Sequence, residues 1–263
     1  MPLALQTFST VADANAALKA AGTRYLGGGT LVVRAANEGD LSFSTLVRAT
    51  DPALTAIEVS GGTAKIGASV TMSQVARHPQ LAVLTAAAHA VGGPAVHNMA
   101  TVGGNLFAPT PYGDFTVALL ALDATVHTGD TSAPIDAFLD RRGGGEIVTA
   151  VSFTLPPEKS FRFLKVSRVK PKGISILSLA AVIEEDADGT ISSARIALGC
   201  MADRPIRAKA AEKALLGQKR TREGIAAALS VAGEGISPAT DAVASAWYRA
   251  EVLPVHLGRL LLG

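Results

Sequence analysis

The stretch Thr101-Val-Gly-Gly-Asn-Leu-Phe-Ala-Pro-Thr-Pro-Tyr-Gly-Asp114 combines two adjacent glycines, two prolines, one amide and one carboxylate, with no lysine or arginine. Gly103-Gly104 leaves the backbone free to approach a ligand, because no Cβ stands in the way. Successive N–H groups in such a turn form an anion-binding concavity without a cationic side chain. The apolar run Phe115 to Leu122 follows at once, so the loop leads into a buried element. A second cation-free loop, Leu26-Gly27-Gly28-Gly29-Thr30, lies upstream. Each loop alone also reads as a tight turn between strands. Together they suit an anionic ligand with a large apolar or aromatic part, as a dinucleotide has.

Outward from the two loops, the pattern is mixed. Residues 3 to 8 form a strand, Thr10-x-x-Asp13 caps a helix, and Arg24 to Leu26 runs as a strand into the triple glycine. Leu31 to Ala36 fits a helical turn or a strand, and Thr45 to Arg48 is another strand. This opening stretch is a small βαβ-like unit. Leu54 to Ser60 and Thr63 to Ser69 alternate around Gly61-Gly62, a hairpin signal. Thr71-x-x-Gln74 is a further capping box, and Leu81, Leu84, Ala88 and Val91 fall at helical spacing behind Pro79. His97 and Asn98 read as turn or capping residues. A strand from Ile147 to Leu155 is stopped by Pro156-Pro157, the best domain boundary in the chain. Beyond it come strands at 161–167, 174–184 and 190–200, a turn at Asp186-Ala-Asp-Gly189, and helices, the last from Asp241 to about Leu262. Arg141-Arg-Gly-Gly-Gly145 reads as an exposed basic loop.

Composition excludes several functions. The net charge of +2 over 263 residues argues against nucleic acid or an anionic membrane as partner. With Cys200 as the one cysteine, neither an internal disulfide nor an iron–sulfur cluster ligated by this chain's own cysteines is possible. Cys200 sits in an apolar run and reads as a small buried hydrophobe. The five histidines lack zinc-ligand spacing, so no metal site is expected. Met1 to Thr7 lacks the charged and apolar regions of a signal peptide, and no apolar run reaches membrane-spanning length, so the expected location is the cytoplasm. There is no nucleophilic triad, no P-loop lysine and no G-x-G-x-x-G, hence no catalytic side chain is nominated and a dinucleotide must bind by another scheme. Asp114 is suited to accept hydrogen bonds from ribose hydroxyls or an adenine amine, and equally to cap the helix at Phe115. Lys165 reads either as a charge-neutralising group near a ligand or as a solvated strand lysine, with Ser167 and Arg168 as companions.

These residues resemble the FAD-binding medium subunit of the molybdenum hydroxylases, the xanthine dehydrogenase and aerobic carbon monoxide dehydrogenase group. Leu26-Gly-Gly-Gly-Thr30 resembles the family's first pyrophosphate loop, and Thr101-Val-Gly-Gly-Asn105 with Pro111-x-x-Asp114 its second. Phe163-x-Lys165-x-Ser167-Arg168, Ala197 to Arg207 and Ala246-Trp-Tyr-Arg249 resemble segments of its C-terminal domain. The resemblance implies an α+β chain: a two-subdomain FAD-binding fold of the PCMH/vanillyl-alcohol-oxidase type at 1–53 and 54–157, then a C-terminal α+β domain at 158–263 with a three-stranded antiparallel sheet and helices. It implies FAD contacts from Leu26, Gly27, Gly28, Gly29, Thr30, Leu31, Thr101, Gly104, Asn105 and Asp114, with Val148 and Lys165 near the isoalloxazine ring. Leu31 stands where the family usually has an acidic residue, and the Lys170-Pro-Lys-Gly-Ile-Ser175 run departs from it too. The implied partners are a large subunit with a molybdenum cofactor and a small subunit with two [2Fe–2S] clusters, as a dimer of heterotrimers. The implied role is electron transfer through FAD to NAD⁺, dioxygen or a quinone. A freestanding flavin oxidoreductase and an assembly subunit without flavin are the alternatives.

Overall fold

The structure is a computed structural model, and it describes residues 3–141, 146–169 and 173–263. Its strands form three sheets in chain order. The first is β1 (Ala4–Phe8), β2 (Thr23–Tyr25) and β3 (Thr45–Ala49), all parallel in the order β1-β3-β2. Parallel neighbours need crossovers. They are supplied by α1 (Val11–Leu18), capped by the Thr10 hydroxyl on the Asp13 amide, and by α2 (Val32–Asn37). The expected helical turn or strand is therefore a helix from Val32, with Leu31 as its N-cap, and the triple glycine is the turn from β2 into α2.

The second sheet is antiparallel with the order β4-β5-β8-β6-β7, from β4 (Ile57–Ser60), β5 (Thr63–Gly67), β6 (Thr125–Thr128), β7 (Thr131–Pro134) and β8 (Val148–Thr154). Gly61 and Gly62 both have positive φ, 55° and 76°, which a two-residue hairpin turn of the primed type requires. Between β5 and β6 runs a helical layer: α3 (Met72–Arg77), α4 (Thr85–Ala90), α5 (Pro94–His97), α6 (Val102–Leu106) and α7 (Asp114–Ala121). Thr71 and Gln74 complete a reciprocal capping box on α3. The helix expected to carry Leu81 through Val91 is split. Pro79–Leu84 is a 3₁₀ segment with Leu81 off helical φ/ψ, and α4 ends at Ala90. Every residue of α7 is buried, and it anchors the larger core with Phe115, Leu119 and Leu120. Helix α8 (Ile135–Arg141) follows β7, and Arg142 to Gly145 of the expected basic loop lie outside the described residues.

The third sheet pairs β9 (Phe161–Ser167), β10 (Ser175–Glu185) and β11 (Ile191–Gly199) antiparallel, close to the expected ranges. A two-residue edge strand, β12 (Ile206–Arg207), extends the three expected strands to four. Helices α9 (Lys209–Leu215), α10 (Ala226–Ser230) and α11 (Ala246–Leu262) cover one face. The last helix starts later than expected. Asp241 Oδ1 accepts from the Val243 and Ala244 amides, forming a turn, and Ser245 is the N-cap, accepting from the Tyr248 amide. Alternation along β10 gives this sheet two working faces. Leu177, Leu179, Ala181 and Ile183 join the smaller core under α9 to α11, while Ala180 and Val182 join the larger core beside α7.

Candidate functional site

The fold brings the two glycine loops into contact. A methyl group on Gly28 would sit 1.7 Å from the Met99 carbonyl oxygen, and one on Gly27 would sit 3.1 Å from Thr101 Oγ1. Gly29 has φ of +77°, which turns the chain into α2. Glycine is thus required here for backbone-to-backbone approach and for conformation.

The loops differ in what their amides do. In the second loop the Val102 amide donates to Val70 O, the Gly103 amide to Ala68 O, and the Gly104 amide to Thr101 Oγ1. Asn105 Nδ2 donates to Thr101 O at 3.2 Å, and the Asn105 carbonyl accepts from Thr116 Oγ1 at 2.8 Å. This loop is tied internally and to α7. In the first loop, the amides of Gly27 through Val32 donate to no acceptor among the described residues, although the segment is only half exposed. The Thr101 amide is in the same condition, at 5% residue exposure. Buried backbone donors are nearly always paired. A contiguous run of open donors, continuing into the unpaired first amide of α2 and with no cation among Leu26 to Leu31, is chemically able to hold an anion. Leu31 is the N-cap of α2 and supplies no side-chain cap.

Asp114 does not cap α7. Gly113, with φ of +91°, is the N-cap, and Asp114 is the first helical residue. Its carboxylate turns toward the C-terminal sheet. Lys165 Nζ donates to Oδ2 at 2.8 Å and to the Ala90 carbonyl at 2.7 Å, and Ser175 Oγ donates to Oδ1 at 2.6 Å. The Lys165 and Asp114 side chains are 11% and 7% exposed, so Lys165 is not a solvated strand lysine. Strand alternation explains its direction: Phe161 and Phe163 share its face and pack on the larger core, whereas Leu164 and Val166 pack on the smaller one. Ser167 donates to the nearby Val169 carbonyl, and Arg168 is exposed. Val148 opens β8 within the larger core, on a strand packed against α6.

Behind Ser175 lies a second buried cation that the sequence did not single out for this role. Arg249 on α11 is 1% exposed; it donates to the Ser175 and Ile176 carbonyls and pairs with Asp241 Oδ2 at 2.8 Å. The Cys200 thiol also donates to the Ser175 carbonyl, at 3.6 Å. Burial first, and then the Asp114 charge, push this thiol up to about 12, so Cys200 is an inert packing residue as expected.

Residues 3–156 match the family described as the FAD binding domain in molybdopterin dehydrogenase. Residues 162–263 match the CO dehydrogenase flavoprotein C-terminal domain. The chain belongs to the FAD-binding subunits of the molybdopterin dehydrogenases. Among relatives of this flavoprotein, the nicotinate dehydrogenase FAD-subunit of Eubacterium barkeri is 30% identical over 212 residues, covering 74% of this chain and 72% of that one. The carbon monoxide dehydrogenase medium chain of Afipia carboxidovorans is 28% identical over 179 residues, covering 64% and 62%. In three dimensions the chain is similar to carbon monoxide dehydrogenase from Hydrogenophaga pseudoflava, with a TM-score of 0.91, 25% identity, and coverage of 99% and 96%. This flavoprotein is accordingly an oxidoreductase subunit of α+β fold. Among the described residues, no helix is long and apolar enough to cross a membrane.

Proposed function

We propose that this chain is the electron-transfer subunit of a three-subunit molybdenum hydroxylase. It relays electrons from [2Fe–2S] clusters of a small partner to an acceptor such as NAD⁺, dioxygen or a quinone, while a large partner carries the molybdenum cofactor. The observation that carries the flavin site is the run of open amides from Gly27 to Val32, set against the Met99–Thr101 backbone. FAD, when bound, supplies the redox chemistry.

The chain's own residues bind and position. Leu26, Gly27, Gly28, Gly29, Thr30 and Leu31, with the Thr101 amide, would hold the pyrophosphate. Gly104 and Asn105 keep the second loop shaped as its wall, through bonds to the Thr101 hydroxyl and carbonyl. Asp114 keeps acceptor capacity beyond its two present partners, since each carboxylate oxygen has two lone pairs. Val148 and Lys165 would face the ring, the first as apolar wall and the second as a charge already fixed by Asp114. The reading takes the assembly as a cytoplasmic dimer of heterotrimers.

Absorption spectra test this directly, on the chain alone and on the co-expressed complex. Flavin absorption from the chain alone, with iron–sulfur and molybdenum signals appearing only in the complex, is the expected result. A folded chain that stays colourless when FAD is added overturns the reading.

A further inference from the structure

We infer that Ser175 is a positioning residue for the flavin site, acting through Asp114. The inference rests on the reading of Asp114 and Lys165 as FAD contacts. Ser175 is 1% exposed, and its hydroxyl makes the shortest of the bonds to Asp114, 2.6 Å to Oδ1. Lys165 holds the other oxygen. A carboxylate with one donor pivots about that bond; two donors on different oxygens fix its plane. Both donors come from the C-terminal sheet, one from β9 and one from the start of β10, whereas Asp114 opens α7.

Ser175 is itself held from behind. Its carbonyl accepts from Arg249 and from the Cys200 thiol, and Arg249 is anchored by Asp241. The β9–β10 register shifts just after Ser175, between Ser175 and Leu177, so this residue sits at a bulge that can aim its side chain. On the other side the chain of bonds continues from α7. Thr116 Oγ1 donates to Asn105 O, and Asn105 Nδ2 donates to Thr101 O in the second glycine loop. Ser175 therefore ties the C-terminal sheet to the Asp114–Lys165 pair at the start of α7, the helix whose Thr116 braces the second glycine loop.

The test is FAD titration of the full-length apo-chain, read by flavin fluorescence, beside its melting temperature. Ser175→Ala is expected to weaken FAD binding about tenfold, the loss typical of one hydrogen bond to a charged group. Asp114→Ala alone and the Asp114→Ala/Ser175→Ala double variant are expected to bind FAD equally, because Ser175 has no route to the flavin once Asp114 is gone. Ser178→Ala, a buried serine on the same strand with no bond to Asp114, is expected to bind as the parent does. A dissociation constant for Ser175→Ala within about twofold of the parent overturns the inference, as does a loss that adds in full to that of Asp114→Ala. A purely structural serine would give that additive pattern, with a lowered melting temperature. Should Ser175→Ala not fold, Ser175→Gly, which removes the hydroxyl without adding bulk, is held to the same outcomes. A parent chain that binds no FAD defeats the proposed function itself; a parent that binds normally beside an unaltered Ser175→Ala defeats only this inference.

Discussion

At the scale of single residues, the glycines of the two loops carry separable demands. Gly28 faces a backbone carbonyl that cannot move without shifting the second loop, and the added methyl would sit 1.7 Å from it. Gly104 faces only the Thr101 hydroxyl, at 3.0 Å, and its φ is not in the left-handed region. Gly28→Ala is therefore expected to destabilise the chain by more than about 4 kcal/mol and to abolish FAD binding, as an enforced backbone clash does. Gly104→Ala disturbs one capping bond and is expected to cost about 1 kcal/mol. Urea denaturation of both variants checks the ranking, and equal costs would refute the close-approach explanation. The glycine pairs were legible in the sequence because few other jobs need adjacent glycines without a cation. The Asp114–Lys165–Ser175 convergence was not. Its members lie 51 and 61 positions apart, and neither periodicity nor turn chemistry reports such pairings. For Asp114 the sequence offered capping and ligand binding; Gly113 is the cap instead, and the carboxylate's two partners from the C-terminal sheet were not foreseen.

At the scale of elements, hairpins and caps were legible, since both are set by residues a few positions apart. The Gly61-Gly62 hairpin and the Thr71/Gln74 box stand where the sequence put them. The start of α11 is masked in the sequence because Asp241 also resembles a helix cap, whereas Ser245, three residues before Tyr248, is the residue that caps it. The same helix shows what a buried cation does for docking. Arg249 ties α11 to the first residues of β10 through two carbonyls and to Asp241. Replacing it with methionine keeps much of the volume and removes every donor. The Ser175 and Ile176 carbonyls then lose a charged partner, and Asp241, about a third exposed, loses its counter-ion. Arg249→Met is expected to cost about 3 kcal/mol, the lower end for breaking a buried pair because water reaches Asp241. The urea midpoint should fall with an unchanged slope. A variant as stable as the parent would show that α11 is held by Leu253, Leu257 and Leu261 alone.

At the scale of the whole molecule, the two family matches meet near the Pro156-Pro157 break, which suggests two independent units. The packing argues otherwise. Ala180, Val182 and Ala197 of the C-terminal sheet belong to the core built on α7, and Phe161 and Phe163 pack against it. Lys165 and Ser175 of the same sheet supply both hydrogen-bond partners of the buried Asp114 carboxylate. Thr110 adds bonds from the second glycine loop to the Ala202 and Asp203 carbonyls. Separating the two parts would expose one face of β10 and leave a carboxylate without its cation. Apolar burial is worth roughly 25 cal/mol per Å², and stripping the partner from a buried charge costs about 3–5 kcal/mol. Both losses fall on either part alone. The chain is therefore expected to unfold in a single cooperative transition, with intrinsic fluorescence from Trp247, on α11, and far-ultraviolet circular dichroism giving coincident curves in urea. Lys165→Met tests the same coupling from the opposite side. It leaves the smaller core under α9 to α11 untouched but removes the cation from Asp114, so the two probes should now separate, with the N-terminal part losing structure first. Coincident curves for this variant at an unchanged midpoint would mean that the apolar contacts of β10 alone join the two parts.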